Sequence, residues 1–316
     1  MKSRIFLNDL LLLITAAIWG LAFVAQRAGM EHLGPFSFNG FRFFLGAVVL
    51  IPIALRWAPL AGVDLRRTGR AGLTAGLVLF AGAGLQQIGI VHTTAGNAGF
   101  ITGLYVVMVP LMGIGRRQTM GVLRWTAILP AVAGLYFLSV QSDFSVNIGD
   151  LYVMASAFFF AVHVQVIDYV SRRGSALWLS IVQYLVVALA SLLVSIPLET
   201  VTPDGLRGAL IPVLYGGIGS ISIAYTLQVI AQRRAPASHA AILLSMEGTF
   251  AALGGWLLLS EVLTARALLG CALLLTGMIL SQISGLRSGR SPETASVPET
   301  ASVPETDPAP DDLEPA

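Results

Sequence analysis

The sequence predicts an all-α membrane protein whose ten transmembrane helices form two inverted five-helix repeats. Three observations lead to this fold class: an apolar composition, ten long apolar stretches and a one-sided distribution of Lys and Arg. The 316 residues are 55% hydrophobic and only 11% charged, whereas a soluble domain has about 25% charged residues. This composition excludes an ordinary soluble domain and favours a polytopic membrane protein.

Each apolar stretch is long enough to cross a bilayer, since a transmembrane helix needs about 20 mostly apolar residues. Lys2 and Arg4 before the first stretch also fit a cleaved signal peptide. That stretch is long for a signal peptide, however, and the repeat described below requires it. The predicted spans are residues 9–29, 36–57, 71–91, 97–115, 122–140, 149–171, 175–197, 206–231, 238–259 and 266–286.

Basic residues lie almost entirely on one side of these ten spans. If the N-terminus is cytoplasmic, the inner segments carry 15 Lys and Arg, while the outer segments carry only Arg27, Arg207 and Arg266. Cytoplasmic loops of membrane proteins carry such an excess. One missed or additional span would place every later loop on the opposite side of the membrane and would remove the bias. The bias therefore supports the count of ten and predicts that both termini are cytoplasmic.

The C-terminal end of the chain differs from the rest in composition. Residues 1–290 carry all 19 basic and 10 acidic residues, whereas residues 291–316 carry seven acidic residues and no basic one. The unit Pro-Glu-Thr-Ala-Ser-Val occurs at 292–297 and again at 298–303. Such a composition cannot bury a core, so we expect a disordered acidic cytoplasmic tail over residues 287–316.

The second half of the chain repeats the first at an offset of about 141 residues. The predicted organisation is a cytoplasmic N-terminus (1–8), a first repeat (9–140) and a second repeat (149–286). Five spans is an odd number, so the second repeat must enter the membrane in the opposite orientation, as in many secondary transporters. The matched pairs include Asp9 with Asp150, Trp19 with Phe160, Arg42 with Gln183, Gln87 with Gln228 and Val109 with Glu247.

Short motifs occur in order along both repeats. They are Ala16-Ala17-Ile18-Trp19-Gly20, Thr94-Ala95-Gly96-Asn97-Ala98, Leu244-Ser245-Met246-Glu247, Trp256-Leu257-Leu258-Leu259-Ser260-Glu261, and Gly270 with Gly277. Together, over about residues 8–286, they resemble the drug/metabolite transporter superfamily, specifically its EamA-type ten-helix members. Gly248 departs from that pattern, because many relatives have proline there. The resemblance implies carrier-type transport, often export, of metabolites, amino acids or drug-like compounds.

Glu247 is the strongest functional candidate inside a predicted span. It lies about nine residues into the ninth span, where an ionisable side chain is costly and marks a functional site by default. A carboxyl group in such a place can hold and release a proton near neutral pH. We therefore predict proton coupling or substrate gripping by Glu247. A neutral structural acid bonded to neighbouring backbone is the alternative.

Polar and aromatic side chains at helical spacing predict a substrate-binding cavity. Such side chains stack on the apolar part of a ligand and hydrogen-bond its polar part. For any one residue the alternative is packing or bridging between helices, and His163 is equally a candidate proton-relay group. The predicted substrate-binding residues are Trp19, Phe23, Gln86, Gln87, Asn97, Tyr105, His163, Tyr225 and Gln228.

Arg42 and two glycine pairs receive structural interpretations. Arg42 lies about six residues into the second span, near the outer side, where its guanidinium can snorkel to the surface. The G-x-x-x-G pairs Gly72/Gly76 and Gly99/Gly103 predict close approach of helices.

The sequence therefore predicts a multi-pass inner-membrane secondary transporter. We expect it to export small polar or amphipathic metabolites, such as amino acids or amines, by alternating access. A proton-coupled exporter of lipophilic cationic drugs, a membrane-embedded lipid-modifying enzyme and a structural scaffold are the alternatives. The sequence contains no Walker A motif and no metal-ligand spacing. We expect no catalytic residues, no metal, no cofactor and no nucleic-acid partner. The expected partners are the small-molecule substrate, the lipid bilayer and a candidate coupling proton.

Overall fold

The computed structural model describes residues 2–60, 63–114, 122–139, 147–171, 175–233, 235, 237–262 and 264–287. Within these ranges the chain is helical and forms no strand, which confirms the predicted all-α class. The predicted acidic tail lies outside the described residues beyond position 287. The helices are α1 (Lys2–Gly29), α2 (Pro35–Trp57), α3 (Leu65–His92), α4 (Ala95–Thr102), α5 (Tyr105–Ile114), α6 (Val122–Ser139), α7 (Ile148–Val170), α8 (Ala176–Leu198), α9 (Pro203–Gly208), α10 (Leu210–Leu214), a π-helix (Tyr215–Tyr225), α11 (Thr226–Gln232), α12 (Ala237–Leu244), α13 (Glu247–Leu259) and α14 (Ala265–Arg287).

Six of the described helical segments are individually long and apolar enough to cross a membrane. The fourth and ninth predicted spans are each divided between two shorter helices, and the eighth contains the π-helix. The six segments are Phe6–Gly29, Pro35–Trp57, Leu65–His92, Ile148–Val170, Ala176–Leu198 and Leu210–Gln232.

Local capping sets where several helices begin. Thr94 Oγ1 accepts a hydrogen bond from the backbone N–H of Asn97 at the start of α4. Asn147 Oδ1 accepts one from the N–H of Gly149 at the start of α7. Such side-chain acceptors satisfy backbone donors that have no partner inside the helix. The short segments between spans can therefore turn the chain without leaving these donors unpaired.

The helices pack in pairs that a two-fold axis would exchange. Helix α2 packs against α8, α6 packs against α14, and α4 with α5 packs against α13 and α12. Helix α3 contacts α7 and α8. In the second half, the π-helix and α11 contact α1, and the π-helix also contacts α2. These packing contacts of one half therefore recur in the other half with the roles exchanged, as expected for structural repeats around a common axis.

The fourth and ninth spans are interrupted at matching places. Helix α4 ends at Thr102 and α5 begins at Tyr105, while α12 ends at Leu244 and α13 begins at Glu247. The breaks pair Tyr105 with Glu247, whereas the sequence comparison paired Val109 with Glu247. That pairing was displaced by one helical turn, because an apolar helix can slide by a turn without losing its pattern.

Small residues allow the closest helix contacts. A Cβ added at Gly72 of α3 would lie 2.5 Å from Val182 Cβ of α8, and one added at Gly76 would lie 2.6 Å from Val186 Cβ. Gly99 likewise faces Ala251 of α13. These contacts confirm the predicted close approach at three of the four glycines. Gly103 instead lies directly after α4, where the span is broken.

Candidate functional site

A polar cavity lies between the two repeats. Helices α1, α2, α3 and α7 border it, together with both helix breaks and the segment formed by the π-helix and α11. Its free volume is about 30 Å³, far below the roughly 300–1,000 Å³ of ligand pockets. The walls therefore leave little free space for a ligand in this conformation. The lining residues are Trp19, Ala22, Phe23, Gln26, Arg42, Gln86, Thr102, Tyr105, Phe160, His163, Val164, Ser220, Tyr225, Gln228, Leu244 and Glu247.

The structure brings eight of the ten predicted site residues to this cavity and leaves Gln87 and Asn97 outside its lining. Gln87 is fully buried, and its Nε2 lies 3.5 Å from the backbone oxygen of Gln26. Asn97 lies in the first turn of α4, where its N–H bonds to the Thr94 side chain. Helical spacing identifies residues on one stripe, but it does not distinguish which of two adjacent glutamines faces the cavity.

Glu247 begins α13 at the break in the ninth span and is only 4% exposed. Its Oε1 has no hydrogen-bond partner among the described residues. The Tyr105 hydroxyl lies beside the carboxyl group, but it too lacks a hydrogen bond of normal geometry. The positive end of the α13 dipole favours negative charge at this position. The cavity wall thus holds a carboxyl group whose bonding capacity is partly unused.

Arg42 also lines the cavity, and its side chain is only 3% exposed. Its Nε donates to Asn39 Oδ1 at 2.8 Å, while Asn39 Nδ2 donates to the backbone oxygen of Ala83. The guanidinium carbon lies 5.1 Å from the ring centroid of Phe43. The snorkelling interpretation of Arg42 is therefore wrong. Packing of the π-helix against α2 buries the side chain, a tertiary effect that its position along the span does not reveal.

Aromatic rings surround Tyr225 in the cavity. Tyr225 lines the cavity together with Arg42 and Glu247. His163 stands edge-on to Tyr225 and its Nε2 is 2.9 Å from Gln183 Oε1. The cavity therefore combines aromatic surface with groups of opposite charge type. The ring centroids of Trp19, His163, Phe43 and Tyr184 lie 4.5, 6.0, 6.2 and 6.2 Å from that of Tyr225.

The π-helix contributes the predicted cavity residue Tyr225 and a further one, Ser220, that sequence reasoning did not place. It brings Ser220 and Tyr225 to the lining, and the Ser220 backbone oxygen accepts a hydrogen bond from Trp19 Nε1 at 3.2 Å. Segments of π-helix are rare and occur often at functional sites. The glycines and serines of residues 215–225 are the available sequence signal, but their composition does not distinguish a π-helix from an α-helix.

Other cavity residues missed by sequence reasoning are mainly apolar, including Phe160, Val164 and Leu244. Apolar residues at these positions match the pattern of any packed helix, so composition offered no signal. Among the described residues, no group of three His, Cys, Asp or Glu side chains could hold a metal ion.

These features together define a class of protein. Apolar helices surround a buried polar cavity, and matching broken helices from two repeats meet there, an arrangement typical of secondary transporters. The model of the EamA-like transporter family matches residues 7–140 and, in a second copy, residues 147–282. The chain belongs to the EamA-like transporter family and is a multi-pass membrane transporter with the two-repeat architecture.

Known proteins are similar over most of the chain. An uncharacterized transporter of Archaeoglobus fulgidus is 31% identical over 283 residues, which cover 86% of this chain and 84% of that protein. The uncharacterized transporter YoaV of Bacillus subtilis is 21% identical over 84% of this chain and 92% of its own length. A protein of known crystal structure has a TM-score of 0.73 at 18% identity, covering 90% of this chain and 99% of that one. That likeness shows a shared fold.

Proposed function

We propose that this protein is an inner-membrane secondary transporter that exports small polar or amphipathic metabolites, such as amino acids or amines. Its two repeats are inverted relative to each other and both termini are cytoplasmic, in keeping with the Lys and Arg distribution. The observation that carries the proposal is Glu247, a buried carboxyl group at a helix break in the central cavity, whose Oε1 has no partner in the described part of the chain.

Contacts between the repeats close the cavity at the face where α8 and α13 end. Glu199 accepts backbone hydrogen bonds from Phe36 and Ser37 at the start of α2. Glu261 accepts two more from Ala95 and Gly96 at the start of α4. We call this side of the molecule the Glu199 face. Opening it requires these charge-assisted bonds to break.

Different contacts close the opposite side, where α1 and α8 begin. Trp178 Nε1 donates to the backbone oxygen of Ala58 at 2.7 Å. His239 Nε2 lies 2.7 Å from Asp9 Oδ1. We call this side the Trp178 face. Alternating access proceeds when one set of contacts breaks while the other holds, so that the repeats rock around the cavity.

Glu247 couples this rocking to a proton by holding one cation at a time. As a carboxylate, open to the cytoplasm, it binds the ammonium group of the substrate. When the cavity opens to the outside, a proton from that side binds the carboxylate and the ammonium group leaves. The cavity then opens to the cytoplasm again with Glu247 neutral, and Glu247 releases its proton there. Each cycle moves one substrate out and one proton in, and a buried carboxyl is the group commonly used for such proton relays.

Export of lipophilic cations is the second candidate, because the rings around Tyr225 suit a cation–π contact. Arg42 in the same cavity opposes it. A fixed positive charge repels a ligand whose sole charge is positive, and this repulsion is strong in a medium of low dielectric constant. A polar metabolite can offset this repulsion by hydrogen bonds to the polar side chains of the cavity, whereas a lipophilic cation cannot.

The test is transport in proteoliposomes by the wild type and by Glu247→Gln. We expect wild-type transport of labelled amino acids or amines to respond to an imposed pH gradient. In Glu247→Gln the response is lost and the rate falls about 10- to 100-fold, the effect of losing a hydrogen bond to a charged group. Gradient-driven transport that survives in Glu247→Gln would refute the coupling role.

Asp150→Asn is the matched control for this test. Asp150 is another buried acid, but it lies outside the cavity lining and accepts a 2.6 Å hydrogen bond from Thr93. We expect this variant to keep the response to the pH gradient. Loss of the response in both variants would indicate a general effect of removing buried acids.

A further inference from the structure

We infer that Arg42 binds the carboxylate group of the transported metabolite, so that the substrate is a zwitterion with a free carboxylate and an ammonium group. This inference rests on the proposed function and deepens it. The proposed function allows both amino acids and amines, whereas an Arg42 carboxylate site selects amino acids.

The position of Arg42 is set by contacts that leave its terminal nitrogens unused. Asn39 accepts from Nε and is itself held by the backbone of Ala83. Phe38 and Phe43 lie 5.6 and 5.1 Å from the guanidinium carbon. The two terminal NH₂ groups have no hydrogen bond within the described part of the chain, and the side chain lines the cavity. A guanidinium held in place by Asn39, with donors still unused, therefore belongs to a side chain of the cavity lining.

The charge of Arg42 has no carboxylate partner among the described residues. None of its described neighbours is a carboxylate within ion-pair distance, although the side chain is only 3% exposed. A buried charge without a partner is costly, and the cost is compensated when a counter-charge binds. The planar fork of arginine matches a carboxylate with two parallel hydrogen bonds.

The other groups around the cavity favour a zwitterion over a simple anion. Glu247 lines the same cavity as Arg42. His163, the other side chain of the cavity lining that can become a cation, is already bonded to Gln183. One arginine matches a singly charged carboxylate. Glu247 is available for an ammonium group at the other end of the ligand.

Thermal stabilisation of the purified wild-type protein gives the first test. We expect at least one of the twenty common amino acids to raise the melting temperature, because a ligand that binds the folded state stabilises it. Stabilisation by none of them would overturn the inference.

A chemical series built on the best amino acid gives the second test. Its methyl ester removes the carboxylate charge, its decarboxylated amine removes the whole group, and its deaminated acid removes the ammonium group. We expect each to bind at least about 10-fold more weakly than the amino acid, since each loses a charged hydrogen-bond partner. An ester or amine that binds as tightly overturns the Arg42 site. A deaminated acid that binds as tightly overturns the zwitterion.

Arg42→Gln tests the residue itself. The second repeat has Gln183 at the equivalent position, so glutamine is compatible with this scaffold. We expect the preference for the amino acid over its ester to fall to near unity, and Arg42→Lys to retain part of it. Arg27→Gln is the matched control, because Arg27 donates to the backbone of Val91 and does not line the cavity. If Arg42→Gln fails to fold, the wild-type series still decides.

Failure of this inference and failure of the proposed function give different results. Gradient-driven export of amines without any requirement for a carboxylate would refute the Arg42 site and leave the transporter proposal intact. Transport that ignores the pH gradient in the wild type would refute proton coupling by Glu247, whatever the ligand preference.

Discussion

The two repeats share one helical scaffold but carry different chemistry at equivalent positions. Arg42 of the first repeat corresponds to Gln183 of the second, and Tyr105 at the first helix break corresponds to Glu247 at the second. The first repeat therefore supplies the guanidinium and the second supplies the carboxyl group. Similar packing in both halves suits a rocking motion around a central site. A ligand with two unlike ends requires that the residues facing it differ.

The same asymmetry extends to the two closed faces. Glu199 follows α8 and accepts two backbone N–H groups at the start of α2. Its counterpart in the first repeat, 141 residues earlier, is Ala58, whose backbone oxygen accepts one indole N–H from Trp178 of α8. Hydrogen bonds to a charged group are roughly twice as strong as neutral ones. The Glu199 face has four such bonds, to the carboxylates of Glu199 and Glu261, whereas the Trp178 face has one, between His239 and Asp9. We therefore expect the Glu199 face to be closed more firmly than the Trp178 face.

Among exchanges of residues between the repeats, we expect the largest effect for Gly20→Ala. Gly20 of the first repeat corresponds to Ala161 of the second. A Cβ added at Gly20 would lie 2.3 Å from Phe250 Cβ, 2.7 Å from the Glu247 backbone oxygen and 2.9 Å from Ala251 N. Backbone atoms cannot move aside easily, so Gly20→Ala should destabilise the protein by about 1–3 kcal/mol or more. Thermal unfolding in detergent measures this loss.

The reciprocal variant Ala161→Gly is the control for Gly20→Ala. It adds no atoms and costs only the backbone entropy of glycine, about 0.5–1 kcal/mol, plus the loss of a buried methyl group. A drop in melting temperature as large as that of Gly20→Ala would contradict the argument from the contact between α1 and α13.

The second prediction concerns the two faces and is tested by access to the cavity. With Cys271 replaced by Ser, Ala22→Cys places a single reporter thiol in the cavity lining. Glu199→Ala removes a charged acceptor worth about 1.5–3 kcal/mol, so we expect a water-soluble maleimide to label the reporter about 10-fold faster or more. The rate of labelling in sealed vesicles measures the change.

Trp178→Phe is the comparison variant for this experiment. It removes one neutral hydrogen bond at the other face, so we expect a smaller acceleration, from reagent applied at the opposite side of the vesicle. An equal or larger effect of Trp178→Phe would refute the proposed difference between the two faces.

The smallest effect is expected at His163, whose counterpart in the first repeat is Ala22. Its one described hydrogen bond joins it to Gln183, and a neutral hydrogen bond is worth about 0.5–1.5 kcal/mol. His163→Asn should therefore slow transport only a few-fold and preserve the response to a pH gradient. If the response disappears as in Glu247→Gln, two titrating groups of the second repeat share the coupling role.

The sequence by itself determined the class of fold and the position of most spans. The spans predicted at 36–57 and 149–171 are observed as Pro35–Trp57 and Ile148–Val170. This agreement has a physical reason: in a bilayer each helix must satisfy its own backbone hydrogen bonds, so a local run of apolar residues sets its length. The buried carboxyl group of Glu247 stood out for the same reason, because charge inside such a run is rare.

Only the tertiary structure decided which polar groups face one another. The breaks after Thr102 and Leu244, the π-helix at residues 215–225 and the burial of Arg42 all depend on neighbouring helices. A break or a π-helix frees backbone groups that a packed neighbour or a cavity must accommodate. Spacing along one helix carries no information about those neighbours. Spacing therefore did not separate Gln86, which lines the cavity, from Gln87, which does not, and did not reveal Arg42 as part of the wall.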